Sequence, residues 1–273
     1  MKIAFWCREP NSLSLCAALA GIAYTAAVCY GQRSLVLHSG FNCHELENAF
    51  VEQSETLLIR EELAYFYDSG IDLILNRLKF EGLGNTGIKE QMLELKKGLL
   101  YYLPGSSRSS REIYEEAFFE KGREALDLLE QMYGMVFIAC GGDIDSEVNR
   151  LVIEKSDVLV VLCEQLPSYN KTLSEELLNI DKDKMFLVGM YDKESKYTVK
   201  NIRKELQIKK DSIGVIPYCI ACRDALTDGS FISFMEKNIR STKKECLFYF
   251  VDEIKQATEK ILRKAGLYEE KKE

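Results

Sequence analysis

The sequence predicts an α/β fold, a doubly wound and mostly parallel sheet flanked by helices. Seven short runs are β-rich and nearly continuous in hydrophobicity, as expected of strands covered on both faces. Segments of helical period alternate with them in regular order, which is the pattern of a sheet wound on both sides. At 273 residues, 47% of them hydrophobic and 29% charged, the chain is long enough to bury the core that such a sheet needs.

The strand runs are KIAFW (2–6), SLVLHS (34–39), LLYYL (99–103), MVFIAC (135–140), VLVVLC (158–163), MFLVGM (185–190) and IGVIP (213–217). Helical spacing covers 12–30, 44–54, 70–80, 111–132, 145–155, 171–179 and 196–207. Ser110 ahead of Arg111 and Glu112 predicts a capped helix start; Asp143 or Asp145 is the expected cap of the next helix, with Glu147 in its first turn. From Phe231 two more helices are expected, the last running from about Leu247 to Ala265 and ended by Gly266. Its Phe250, Ile254, Ala257, Ile261 and Leu262 share one face and predict docking on the domain. Lys255, Lys260, Arg263 and Lys264 on the opposite face make a membrane-surface or partner-binding helix the sharper alternative. With four prolines and no repeat or linker, residues 1–273 read as one domain.

A formal net charge of −7 and a sequence pI of about 5.2 exclude a surface adapted as a whole to nucleic acid or anionic lipid. A local basic patch remains, in DKESKYTVKNIRKELQIKKD, where Lys196, Lys200, Arg203 and Lys204 fall at helical spacing. Nine scattered cysteines read as reduced cytosolic thiols, because a chain of this length needs no disulfides. Cys219 and Cys222 form a C-x-x-C, but without a flanking apolar helix, so redox chemistry is not expected there. His38, Cys43 and His44 lack a fourth ligand at suitable spacing, so no metal site is expected either. Asn11 to Gln32 is uncharged, and about 22 such residues can cross a bilayer. The segment is nonetheless rich in Ala, Ser, Cys, Thr and Gly and follows Glu9, which predicts a buried helix rather than a span or a signal peptide.

The stretch that bears on function is CREPNSLSLCAALAG, residues 7–21. It holds the position of a phosphate-binding loop, yet it has no glycine before Gly21 and no lysine. The first strand, this loop, the long helix and then GQRSLVLHSG resemble the opening of the ParA/MinD family of deviant P-loop ATPases. Those begin with a strand, a K-G-G-x-G-K-[ST] loop, a helix and a G-K-K-V-L-L-I-D-x-D strand. LLYYLPGSSRSSREIY resembles the family's strand ending in L-L-P-G, YGMVFIACGG its Y-D-x-V-I-I-D-T-P-P switch strand, and EKSDVLVVLC its A-D-x-V-I-V-P strand. MFLVGMYDKES and IGVIPYC stand where the adenine-side strand and the last strand would be, so the series covers residues 1 to about 230 in order. IAFW, SGID, LPGSSRSSREIY and IPY carry a narrower resemblance to the TadZ-like branch of Tad (Flp, type IVb) pilus assembly, whose members help place the pilus and secretion machine at the cell pole.

The resemblance puts the family's signature lysine at Pro10, its glycines at Asn11, Ser12 and Ser14, its Walker lysine at Leu15 and its magnesium hydroxyl at Cys16, with Leu13 inside the same vestigial loop. The second-strand aspartates fall on His38 and Gly40, and the switch aspartate on Ala139. A P-loop wraps the β-phosphate with backbone N–H groups, neutralises it with lysine and holds magnesium through a hydroxyl. Phosphoryl transfer depends almost entirely on such positioning and charge neutralisation, so the resemblance implies a pseudo-ATPase with no catalytic residue, no cofactor and no turnover. Arg8 is the only cation near the vestigial loop and the candidate anion contact; Lys2 is the other cation at this end of the chain.

The family's subunits face each other across ATP, so the resemblance further implies a homodimer that does not wait for nucleotide. It implies pilus or secretion-system partners and a cytoplasmic location at the inner face of the membrane or the cell pole. Two alternatives stand beside it: a weak ATPase or nucleotide sensor using ATP and magnesium, and a DNA-binding partition factor acting through the basic stretch.

Overall fold

The computed structural model describes residues 1–51, 69–80 and 88–268. Its sheet has eight strands: β1 (Lys2–Cys7), β2 (Ser34–His38), β3 (Leu93–Lys96), β4 (Leu100–Leu103), β5 (Met135–Gly141), β6 (Val158–Cys163), β7 (Lys184–Tyr191) and β8 (Ile213–Pro217). Their order is β3-β4-β2-β5-β1-β6-β7-β8, and every neighbouring pair is parallel except β3 with β4. All seven strand runs read from the sequence are present. The eighth, β3, was missed because its residues are mostly half-exposed and it pairs antiparallel at the edge, where no continuous apolar run is needed.

The helices are α1 (Leu13–Tyr30), α2 (Glu45–Asn48), α3 (Gly70–Phe80), α4 (Arg111–Tyr133), α5 (Glu147–Lys155), α6 (Pro167–Glu176), α7 (Val199–Glu205), α8 (Ile220–Thr227), α9 (Phe231–Asn238) and α10 (Phe248–Lys264). The expected helix over 44–54 is described only as α2, and its residues 52–54 lie outside the described residues. The helix expected from 171 begins at Pro167, which suits the first helical position because it has no N–H to leave unpaired. The helix expected from 196 begins after Thr198, whose side chain and that of Asn201 cap each other's backbone. Helix α8 was missed altogether.

Alternate residues of β1 serve the two faces of the sheet, as strand geometry requires: Ile3, Phe5 and Cys7 pack with α1 and α10, and Ala4 and Trp6 with α4 and α5. Helix α1 is long and apolar enough to cross a membrane, but it is 72% buried within the protein. Its Ala-rich faces let it pass close to β7 and α10, and Gly21 lies against Ile254. The buried-helix expectation holds.

Ser110 caps α4 by accepting from the Ile113 amide, as expected. The cap of α5 is Ser146 rather than Asp143 or Asp145: its hydroxyl accepts from the Asn149 amide, while Asp143 accepts from the Asp145 amide in the preceding turn. Ser146→Ala is expected to cost about 1 kcal/mol, whereas Asp145→Ala, which loses an exposed ion pair with Arg150, stays within about 0.5 kcal/mol; urea unfolding of the two variants checks the order. In α10 the whole expected face is buried, each large side chain contributing about 1.5–3 kcal/mol. Lys260 donates to the Ile213 carbonyl at 2.8 Å and Lys264 pairs with Asp183 at 3.5 Å, so part of the basic face also serves the fold.

Candidate functional site

The C-terminal ends of β2, β5, β1, β6 and β7 lie side by side in the sheet, and the residues singled out in the sequence gather there. Ser12 caps α1, its hydroxyl accepting from the Ser14 amide at 3.2 Å. Asn11 and Leu13 are exposed, while Pro10, Ser12 and Ser14 are half-buried. Leu15 and Cys16, which the resemblance aligns with the Walker lysine and the magnesium hydroxyl, are 1% and 3% exposed and belong to the apolar core. Burial, reinforced by Glu45 and by the Cys43 and Cys7 thiols, raises the Cys16 thiol far above its ordinary range, so it stays neutral.

The loop is tied down by its own chain. His38, which the resemblance aligns with a second-strand aspartate, accepts at Nδ1 from the Gly40 amide at 2.8 Å, so Nε2 carries the proton and faces the Pro10 carbonyl at 3.4 Å. Three positions that the sequence reading treated separately are thus joined by hydrogen bonds. Burial lowers the His38 pKa from 6.5 to about 4, and the ring is neutral at physiological pH. Ala139 sits beside both His38 and Phe5 in the sheet.

Two glycines permit the close packing of the loop. A Cβ at Gly141 would lie 2.5 Å from the Pro10 Cα, and one at Gly189 would lie 2.7 Å from the Ser14 Cβ. Sequence reasoning missed both, although glycines at strand ends are the signal that another backbone approaches closely. The turn after β5 is anchored as firmly. The Gly142 amide donates to the Cys7 carbonyl at 3.1 Å, the Trp6 indole donates to the Gly142 carbonyl at 3.2 Å, and buried Asn149 donates to the Gly141 and Asp143 carbonyls at 3.0 and 2.6 Å.

Arg8 contacts an anion of this chain. Its Nε donates to Glu176 at 3.0 Å, and its guanidinium stacks 5.4 Å from the centre of the Tyr169 ring. The Lys2 ammonium pairs with Asp127 and Glu130 at the opposite end of β1 and cannot reach the loop.

On the β4 side a second group of polar residues is assembled. Asp72, fully buried on α3, accepts from Ser106 Oγ at 2.9 Å and from the Ser107 amide at 2.8 Å, and its Oδ1 lies 3.2 Å from Arg108 Nε. Arg108 also reaches Asn76 at 2.7 Å and the Ile113 carbonyl at 3.1 Å. Tyr114 donates to the Ser39 carbonyl at 2.7 Å, linking α4 to the end of β2. The SGID and LPGSSRSSREIY stretches are therefore one structural unit.

The other candidates are more dispersed. Lys196 is exposed in the segment before α7; Lys200 and Lys204 are exposed and Arg203 half-buried on that helix. His44 lies 2.8 Å from Asn42, the Cys43 thiol faces the Phe41 carbonyl at 3.5 Å, and His38 is engaged as described. Among the described residues no group of three or more His, Cys, Asp or Glu side chains could hold a metal ion. All nine cysteines are free.

Solved structures identify the class of fold. The chain resembles a chain of the MinC:MinD cell division protein complex of Aquifex aeolicus, at 17% identity and a TM-score of 0.66, with 100% of this chain and 98% of that one covered. It resembles a ParA family ATPase from Chlorobium tepidum TLS at 13% identity and a TM-score of 0.68, covering 93% and 98%. It also resembles pNOB8 ParA bound to nonspecific DNA, at 13% identity and a TM-score of 0.65, covering 98% and 99%. The fold is that of the ParA/MinD P-loop ATPases. No protein-family model and no curated protein matches the sequence.

Proposed function

We propose that this chain is a ParA/MinD-fold protein that works without phosphoryl transfer, as a scaffold or localisation factor. One observation carries the reading: the loop in the phosphate-binding position has Leu15 and Cys16 in the core, and its Pro10, Ser14 and Arg8 packed or bonded to the chain's own Gly141, Gly189, His38 and Glu176. A phosphate there would meet apolar bulk in place of lysine and a neutral thiol in place of the magnesium hydroxyl. Neither ATP nor magnesium is then a cofactor. A homodimer contact that forms without nucleotide belongs to the same reading.

The narrower role is in Tad/Flp type IVb pilus or secretion-system assembly, in the cytoplasm at the inner face of the membrane or the cell pole. The SGID and LPGSSRSSREIY resemblance supports it, and genes for a secretion ATPase and pilus platform proteins beside this one would support it further.

Titration with a fluorescent ATP analogue, with and without magnesium, tests the central claim. No saturable magnesium-dependent binding is expected, and tight magnesium-dependent binding overturns the scaffold reading in favour of a nucleotide sensor. The partition-factor alternative draws on Lys200, Arg203 and Lys204 of α7 and on the DNA-bound relative of the same fold. A gel shift at low salt that collapses at moderate salt would favour it, and the net charge of −7 predicts none.

A further inference from the structure

The C-x-x-C has a setting that its sequence did not disclose. Cys219 follows β8 and Tyr218 and is the N-cap of α8, and Cys222 lies in the first turn of that helix. The Cys222 amide donates to the Cys219 sulfur at 3.4 Å. An N-cap side chain that bonds the amide three residues on is folded back over its own first turn, and the two Cβ atoms of such a pair are about 5–6 Å apart or less. Disulfides need Cβ atoms about 3.5–4.5 Å apart, so closure takes a rotation of the Cys219 side chain to aim its sulfur and a small backbone shift at the cap, whose Cys219 carbonyl accepts from the Arg223 amide at 3.0 Å. The two thiols differ in access: Cys219 is half-exposed between exposed Tyr218 and Ile220, whereas Cys222 is 2% exposed. An outside reagent therefore meets Cys219 first, and the mixed species it forms has its resolving thiol within one helical turn.

We propose that Cys219 and Cys222 are a reversible dithiol–disulfide site that exchanges with low-molecular-weight disulfides of the glutathione class. The Cys219 thiolate attacks one sulfur of the oxidised reagent, forming a mixed disulfide and releasing one reagent thiolate, which takes up the proton that Cys219 lost. The Cys222 thiolate then attacks the Cys219 sulfur, closing the intramolecular disulfide and releasing the second reagent thiol. The reagent is reduced to two thiols and the protein loses two hydrogens, so the exchange balances and runs backwards in excess thiol. The closed bond staples the first turn of α8, a helix that packs on α1. Exchange is slow rather than catalytic, because burial raises the Cys219 thiol despite the opposing Cys222 and Ala221 amides.

Exposed Cys246, which lies near Cys219, is the competitor. Trypsin separates the three residues, since Cys219 and Cys222 share the peptide Asp211–Arg223 and Cys246 falls in Glu245–Lys255. The folded full-length chain is equilibrated in a series of glutathione buffers, alkylated and digested. In the oxidising buffers Asp211–Arg223 is expected to lose both alkylation sites together and the mass of two hydrogens, to recover both in reducing buffer, and to behave identically in Cys246→Ser. Cys222→Ser should trap only a glutathione adduct on Cys219. Persistent double alkylation of Asp211–Arg223 in the most oxidising buffer overturns the proposal, and so does a Cys219–Cys246 cross-link in place of the internal bond. The wild-type and Cys246→Ser maps decide the question even if Cys222→Ser fails to fold.

Discussion

Asp72→Ala is expected to destabilise the fold by about 3–5 kcal/mol, the usual cost of removing one partner from a buried ion pair. The carboxylate is the common acceptor for Ser106, the Ser107 amide and the Arg108 guanidinium, and it is itself fully buried. Removing it leaves the guanidinium of Arg108, only 14% exposed, bonded to Asn76 and the Ile113 carbonyl with no carboxylate opposite it, and takes from the Ser107 amide the oxygen it donates to. Asp72→Asn keeps the shape and one good acceptor but not the charge, so its loss should be smaller, about 1.5–3 kcal/mol. Urea unfolding at neutral pH reads both. A loss under about 1 kcal/mol for the alanine variant would mean that water or a local rearrangement replaces the carboxylate, and that the loop after β4 is not held by it.

The second large effect is a pH dependence set by His38. Its folded pKa lies at about 4 against 6.5 for the free side chain, because burial disfavours the imidazolium. Above 6.5 both states are neutral and the contribution is fully present. As pH falls from 6.5 to 4, the unfolded chain takes up a proton that the folded chain refuses, so stability is lost, by about 3 kcal/mol in all. His38→Gln removes the titration. The stability advantage of wild type over this variant should therefore shrink steadily across that window, whereas parallel pH profiles would show that the ring is not held neutral. The change is centred on the loop between β1 and α1, because the same ring bonds the Pro10 carbonyl and the Gly40 amide.

Much of the fold was legible because a parallel sheet needs strands that are apolar on both faces, and such strands need no partner to be recognised. The run 158–163 is an example: all six residues are buried, and the sequence bounds agree with the structure. Strand β3 and helix α8 were not legible for the opposite reason. The first is half-exposed at an edge, and the second is eight residues long with three buried positions, too few to set a period. The cap of α5 could have been read either way from Asp143, Asp145 and Ser146, all good cap residues; only the backbone geometry chooses Ser146.

By itself the sequence determined the order of the strands and helices along the chain and the side chains between the first strand and the first helix, where residues 7–21 hold no lysine and no glycine before Gly21. Side-chain identity is a local property, so no coordinates were needed to read it. What those side chains meet only the tertiary structure decided. His38 meets Pro10 across 28 positions of sequence, Asp72 meets Ser106 across 34, and Arg8 meets Glu176 across 168. Hydrogen bonds and ion pairs act over a few ångströms of space, and in a doubly wound sheet residues that distant in the chain become neighbours only when the strands are placed side by side.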